Sequence, residues 1–175
     1  MKLFSDGGAM QNRAILFDWG GTLMQTMPVY LGKERGWSKV APVEGAAKAV
    51  QSVASTWRVA LATNASESTD EEMLAAFEPM GIRECFSAVY SFGRAGRPKP
   101  WAEFWQYAIK DLALPPERIV MIGDSYMDDV WGATEAGLNG VWFNVLSTEY
   151  KEKERMRTIH SFAELDDALH SLGFN

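Results

Sequence analysis

The chain has 175 residues, enough for one ordinary domain and too few for several. Apolar residues make up 47% and charged residues 23%, a balance that excludes an intrinsically disordered chain. The 17 basic and 23 acidic residues leave a net charge of -6, the wrong sign for holding nucleic acid or an anionic membrane by summed field, though an anionic small molecule held by a local cation is compatible. No apolar run approaches the roughly 20 residues of a membrane span, and Met1 to Arg13 lack the apolar core of a secretory signal. With Cys85 alone there is no disulfide framework and no zinc-type spacing, so a reducing, cytoplasmic setting is expected.

Residues 1–12 read as a flexible N-terminal end and 13–175 as a single domain. Ala14 to Phe17 is the first strand-length apolar run, followed by Leu23 to Pro42, a stretch about the size of a hairpin or loop. Val43 to Ser55 has small and apolar residues at helical spacing, and Arg58 to Ala62 is the second strand. Ser68 with Glu71 forms a capping-box pattern, and Gly81 is a helix stop. Ala88 to Phe92 is a third strand, Trp101 to Leu112 a helix, Ile119 to Ile122 a fourth strand, Asp128 to Ala136 a helix, and Val141 to Val145 a fifth strand. The mixed-charge run Glu149 to Arg157 reads as a solvated surface segment, and Ser161 with Glu164 opens a last helix. Continuous apolar runs separated by helices indicate strands buried on both faces, so the expected fold is α/β, a three-layer Rossmann-like arrangement around a mostly parallel five-stranded sheet. Trp57, Trp101, Trp105, Trp131 and Trp142 are expected to pack the sheet, and His160 and His170 to be surface or helix residues.

Ligands bind at the carboxyl ends of the strands of such a sheet. The residues found there are Asp18-Trp19-Gly20-Gly21-Thr22 after the first strand, Thr63-Asn64 after the second, and Gly123-Asp124-Ser125 after the fourth, followed by Asp128-Asp129. Lys99 lies ahead of the fourth strand. Asp18, Asp124, Asp128 and Asp129 would crowd four negative charges together, which is costly unless a divalent cation and Lys99 offset them. Oxygen ligands point to Mg2+, and a cup of that kind retains about one negative charge and accepts a metal-bound phosphoryl group.

These ordered motifs resemble the haloacid dehalogenase superfamily, from Ala14 to about Leu172. The resemblance rests on Ile15-Leu16-Phe17-Asp18 with Gly21-Thr22-Leu23, Ala62-Thr63-Asn64, Lys99-Pro100, and Ile122-Gly123-Asp124-Ser125 with Asp128-Asp129. It implies that Asp18 is a nucleophile taking a phosphoryl group as an aspartyl-phosphate. Thr63 and Asn64 would hold the phosphoryl oxygens and Lys99 would neutralise charge. It further implies Mg2+ bound by Asp18, the Gly20 carbonyl and Asp124, with Ser125, Asp128 and Asp129 supporting, and Asp128 or Asp129 ordering the metal's waters.

One position departs from the family's phosphatases, which carry a second Asp two residues after the nucleophile as acid/base. Here it is Gly20, so a weakened hydrolase is expected, with a catalytically degenerate binding or regulatory module as the alternative. A phosphonatase-like reading needs a Schiff-base lysine in a helical cap, for which Lys33, Lys39 and Lys48 are the basic candidates. The 35 residues from Leu23 to Trp57, one helix among them, leave no room for such a cap, and neither do the six from Gly93 to Pro98. An open site is expected to suit a phosphorylated small molecule or macromolecule, with an oligomer as one way to shield it and Trp19, Tyr30 and Trp37 as candidate surface.

Overall fold

A computed structural model of the chain describes residues 12–25, 41–66 and 68–175. The elements are β1 (Ala14–Phe17), α1 (Ala46–Ala54), β2 (Arg58–Thr63), α2 (Asp70–Ala75), β3 (Phe86–Ser91), α3 (Phe92–Ala95), α4 (Ala102–Leu112), β4 (Ile119–Gly123), a π-helix (Tyr126–Trp131), α5 (Gly132–Glu135), β5 (Asn139–Phe143), β6 (Met156–Ile159) and α6 (Leu165–Ser171). The strands form one six-stranded sheet in the order β3-β2-β1-β4-β5-β6, parallel at every pairing.

Alternate residues of each strand face opposite layers, and the two layers differ in kind. On one side Ile15, Phe17, Val59, Leu61, Val120 and Ile122 meet Ala49, Val50 and Val53 of α1, Met73 of α2 and Leu165 and Leu169 of α6. On the other, the small side chains of Ala14, Ala60 and Ala62 leave room for Phe104, Trp105 and Ala108 of α4. Each fully buried Leu, Ile or Phe contributes about 1.5–3 kcal/mol through burial, so these layers hold the sheet that aims the rim residues.

Three expectations need correction. The sheet has a sixth strand, because Met156 and Arg157, assigned to the solvated run, begin β6, whose Met156, Thr158 and Ile159 are buried against β5. The capping box of α2 sits one residue later, on Thr69 and Glu72: the Thr69 hydroxyl accepts from Glu72 N–H, and Glu72 accepts from Thr69 N–H. Trp101 and Trp131 do not pack the sheet, being 56% and 37% exposed, whereas Trp57, Trp105 and Trp142 are buried.

Trp19 is buried edge-on against Phe77. At the base of the stretch expected to be a hairpin, Gln25 N–H donates to Ala41 O at 2.8 Å and Val43 N–H to Leu23 O at 3.0 Å, so the chain leaves and returns at one place. Tyr30, Lys33, Trp37 and Lys39 lie outside the described residues, as does the expected flexible end through residue 11. Lys48 is exposed on α1. Between β3 and Lys99 the chain forms only α3 and a turn through Gly96.

Candidate active site

Parallel strands deliver their C-terminal residues to one rim, and there a cleft of about 240 Å3 opens. Its walls are Asp18, Gly20, Thr63, Asn64, Ala65, Lys99, Asp124, Ser125, Asp128 and Asp129. The residues that the resemblance gave a catalytic, metal-binding or supporting role are all among them.

Asp18 follows β1 directly, and its N–H donates to Ile122 O at 2.9 Å, which extends the β1–β4 pairing into the site. The chain then turns tightly around the Trp19 carbonyl, which accepts from the N–H groups of Leu23 and Met24, both at 2.9 Å. Gly21 makes the turn with φ of 82°, a left-handed conformation that disfavours side chains, and a Cβ there would run into the Asp124 carboxylate. Gly123 is required by a close approach of the same kind, since a Cβ would collide with the Asp129 carboxylate.

Lys99 is 3% exposed, and its ammonium uses its three protons on Asp18 Oδ1 at 2.7 Å, Asp129 Oδ1 at 2.5 Å and Ala62 O at 2.8 Å. Burial works against the charged ammonium, but the Asp18 and Asp129 carboxylates outweigh it and hold the Lys99 pKa above its ordinary value. Lys99 therefore stays a cation. Asn64 fixes the chain that carries it: Oδ1 accepts from Lys99 N–H at 2.7 Å and Nδ2 donates to Lys99 O at 3.1 Å. Both polar ends of the Asn64 side chain are thus committed to the Lys99 main chain. The Thr63 hydroxyl, buried at the end of β2, accepts from Ala65 N–H at 3.2 Å, and its own proton is available to the cleft.

The two acidic residues after the π-helix begins diverge. Asp129 is 1% exposed, with Oδ1 on Lys99 and Oδ2 accepting from Ser125 N–H at 3.0 Å. Burial pushes its pKa up against the opposing pull of Lys99. Asp128 is partly exposed at the cleft wall, and its N–H donates to Ser125 Oγ at 3.2 Å, so Ser125 is the N-cap of the π-helix.

Asp18, Asp124 and Asp129 each offer an oxygen within 4.8 Å of the others. Each Asp129 oxygen already has a close partner, whereas among the described residues Asp18 Oδ2 and Asp124 Oδ1 meet only the Thr22 hydroxyl, at 3.5 and 3.4 Å. That hydroxyl also accepts from Asp124 N–H at 3.0 Å, and its single proton cannot serve two carboxylates. Burial, and then the Asp18 charge, push the Asp124 pKa up. Two partly buried, underpaired carboxylate oxygens side by side fit a hard divalent cation such as Mg2+. Thr22, fully buried, is the site residue that the motifs quoted only as part of a turn; its spacing, four residues after Asp18, was the available signal.

Trp142 was also missed, because nothing in its sequence setting distinguishes it from a core tryptophan; its indole N–H donates to Asp124 O at 2.9 Å. The His160 Nδ1–H donates to Asn144 O at 2.7 Å, and neither histidine lines the cleft.

A glyceraldehyde 3-phosphate phosphatase of Methanothermobacter thermautotrophicus is 33% identical over 76 residues, 43% of this chain and 32% of that protein. A pyrimidine 5'-nucleotidase of Escherichia coli is 26% identical over 130 residues, 73% of this chain and 56% of that protein. The chain thus spans between 32% and 56% of the length of these two curated relatives. Among solved structures, an uncharacterized protein from Listeria monocytogenes serotype 4b matches with a TM-score of 0.76 at 20% identity, over 92% of this chain and 98% of its own. An HAD phosphatase from Thermococcus onnurineus matches with a TM-score of 0.71 at 17% identity, over 91% and 98%. These two show the fold. The model of the haloacid dehalogenase-like hydrolase family matches residues 30–137, which begin beyond Asp18 but take in Thr63, Asn64, Lys99, Asp124 and Asp129. Most of the chain lies within that match, and the chain belongs to the haloacid dehalogenase-like hydrolase family.

Proposed function

We propose that the protein is a Mg2+-dependent phosphate-ester hydrolase that works through a phosphoryl group carried on Asp18. The observation that carries this reading is the pairing of Asp18 with the buried Lys99 beside the underpaired Asp124 carboxylate, all in one open cleft. The names of its relatives, a sugar-phosphate phosphatase and a nucleotidase, favour a phosphorylated small molecule as substrate.

Asp18 and Asp124 would hold Mg2+ through their underpaired oxygens, with the Gly20 carbonyl as a further ligand. When bound, the ion lowers the charge at the cup and draws electron density from the phosphoryl oxygens. An Asp18 carboxylate oxygen attacks phosphorus as the bond to the leaving oxygen breaks, and the phosphoryl group passes to Asp18. Lys99 compensates charge at Asp18, and the Thr63 hydroxyl donates to a phosphoryl oxygen. Asn64 contributes by holding the Lys99 main chain, and Asp129 by orienting the ammonium. Water then hydrolyses the acyl phosphate and frees Asp18.

No side chain stands at Gly20 to protonate the leaving oxygen, so aryl phosphates and acyl phosphates, whose phenolate or carboxylate departs as a stable anion, react best and alkyl esters slowly. The same gap supports a second reading, a magnesium-binding module without turnover. Incubation with acetyl phosphate, with and without Mg2+, and melting with Mg2+ separate the two. A phosphoryl adduct on Asp18 is expected with Mg2+ present. A thermal shift with Mg2+ but no adduct would leave the module, and neither adduct nor shift would eliminate both.

A further inference from the structure

We propose that Trp142 is a positioning residue for the Asp124 carboxylate, acting through the Asp124 main chain. This rests on the reading of Asp124 as a Mg2+ ligand.

Asp124 is the first residue beyond β4, where the sheet ladder no longer fixes the backbone. Its two main-chain polar atoms are nevertheless both claimed, by one side chain from the turn after β1 and one from β5. The N–H donates to Thr22 Oγ1 at 3.0 Å, and the carbonyl accepts from the Trp142 indole N–H at 2.9 Å. In the sheet Trp142 pairs with Gly123, so its side chain reaches one residue further along the neighbouring chain. The peptides on both sides of Asp124 are thereby pinned where the carboxylate must start.

The indole cannot swing away from that bond. It is buried with Val130 and Met156, and Tyr126 meets it edge-on with centroids 5.3 Å apart. Lys151 Nζ lies 4.8 Å from the Tyr126 ring centre and 5.6 Å from that of Trp142. The Asp18 and Asp124 carboxylates lie side by side and repel, so a free loop would relax by separating them. An anchored one holds them at metal-binding distance. Partners that orient metal ligands from behind typically change metal affinity by about 10- to 100-fold when removed.

The test is Mg2+ titration by calorimetry, with metal-free melting temperatures measured alongside, on the wild type, Trp142→Phe, Met156→Ala and Asp124→Asn. Trp142→Phe keeps an aromatic ring but loses the donor and some packing volume, the latter controlled by Met156→Ala; it should weaken Mg2+ binding at least about 10-fold. Met156→Ala loosens the same cluster without touching the hydrogen bond, so it should melt earlier but bind Mg2+ as the wild type does. Equal weakening by both variants, or unchanged affinity in Trp142→Phe, overturns the inference while leaving the metal site standing. Absent binding by the wild type, or undiminished binding by Asp124→Asn, overturns the metal reading and this inference with it. Should Trp142→Phe fail to fold, the Trp142 indole proton in the wild type is the readout. Slow exchange with solvent and a resonance that moves with Mg2+ support the anchor, and rapid exchange overturns it.

Discussion

The ammonium of Lys99 is bonded to Asp18, Asp129 and Ala62 O in a nearly water-free place, so its removal leaves two carboxylates without their cation. Breaking a buried ion pair from one side costs about 3–5 kcal/mol. Lys99→Met is therefore expected to lower the melting temperature sharply as well as to abolish phosphoryl transfer. An unchanged melting temperature would contradict the paired geometry. Asp124 and Asp129 give a pH prediction, since both are held above the ordinary carboxylate range by burial, with Asp18 adding to Asp124 and Lys99 opposing at Asp129. A carboxyl raised in this way binds its proton more tightly folded than unfolded, so each makes stability fall as pH rises above the ordinary carboxylate range, the Asp129 contribution extending to about pH 7. Asp124→Asn cannot titrate and should flatten that slope in metal-free thermal melts; an identical slope counts against the assignment. Gly20→Asp addresses the missing acid/base. Gly20 lines the cleft, and the left-handed position of the turn belongs to Gly21, so an aspartate should fit the backbone. With a well-placed proton donor, turnover of an alkyl phosphate should rise by at least about 10²-fold and that of an aryl phosphate by less; unchanged rates for both would contradict the missing acid/base. At this scale Asp18 and Asp124 were legible because each follows an apolar run, and Lys99 because Lys99-Pro100 stands in order among the other motifs. Thr22 and Trp142 were not, because a buried threonine and a buried tryptophan have ordinary packing explanations until their partners are known.

Elements fixed by strong local chemistry came out where the sequence put them. β1 agrees at both ends because Ala14 to Phe17 is bounded by Arg13 and Asp18, charged residues that cannot follow it into the core. β6 was hidden because its inward residues, Met156, Thr158 and Ile159, are interrupted by Arg157 and preceded by a mixed-charge run. It is an edge strand, and one face and one neighbour suffice to bury it. The capping box of α2 illustrates a one-residue ambiguity, as Ser68 with Glu71 and Thr69 with Glu72 satisfy the same pattern. Thr69→Ala should cost about 0.5–2 kcal/mol, read as a lower melting temperature. Ser68→Ala, by contrast, should leave melting nearly unchanged.

For the molecule as a whole, six parallel strands bring the ends of β1, β2 and β4 to one side, and the Lys99 turn closes the site from beyond β3. The net charge of -6 is partly local to this cleft, where four aspartates face one lysine. Mg2+ should therefore raise the melting temperature, increasingly with the logarithm of its concentration above the dissociation constant, and a chelator should reverse the gain, because a ligand that binds only the folded state stabilises it by mass action. No rise at saturating Mg2+ would argue against the cup. Among the described residues no helix is long and apolar enough to cross a membrane.

The sequence by itself determined the class of fold and the chemical inventory of the site, since continuous apolar runs specify buried parallel strands and polar residues at their ends must face the rim. Tertiary structure alone decided how that inventory divides. Asp128 and Asp129 are adjacent in sequence and equal in chemistry, yet one lies partly exposed at the cleft wall and the other is buried on Lys99. Asn64 turned its side chain to the Lys99 backbone 35 residues away, and Trp142 turned its indole to Asp124 across the sheet. The reason is geometric: local sequence sets which face a residue occupies, but its hydrogen-bond partner depends on which strand lies beside it.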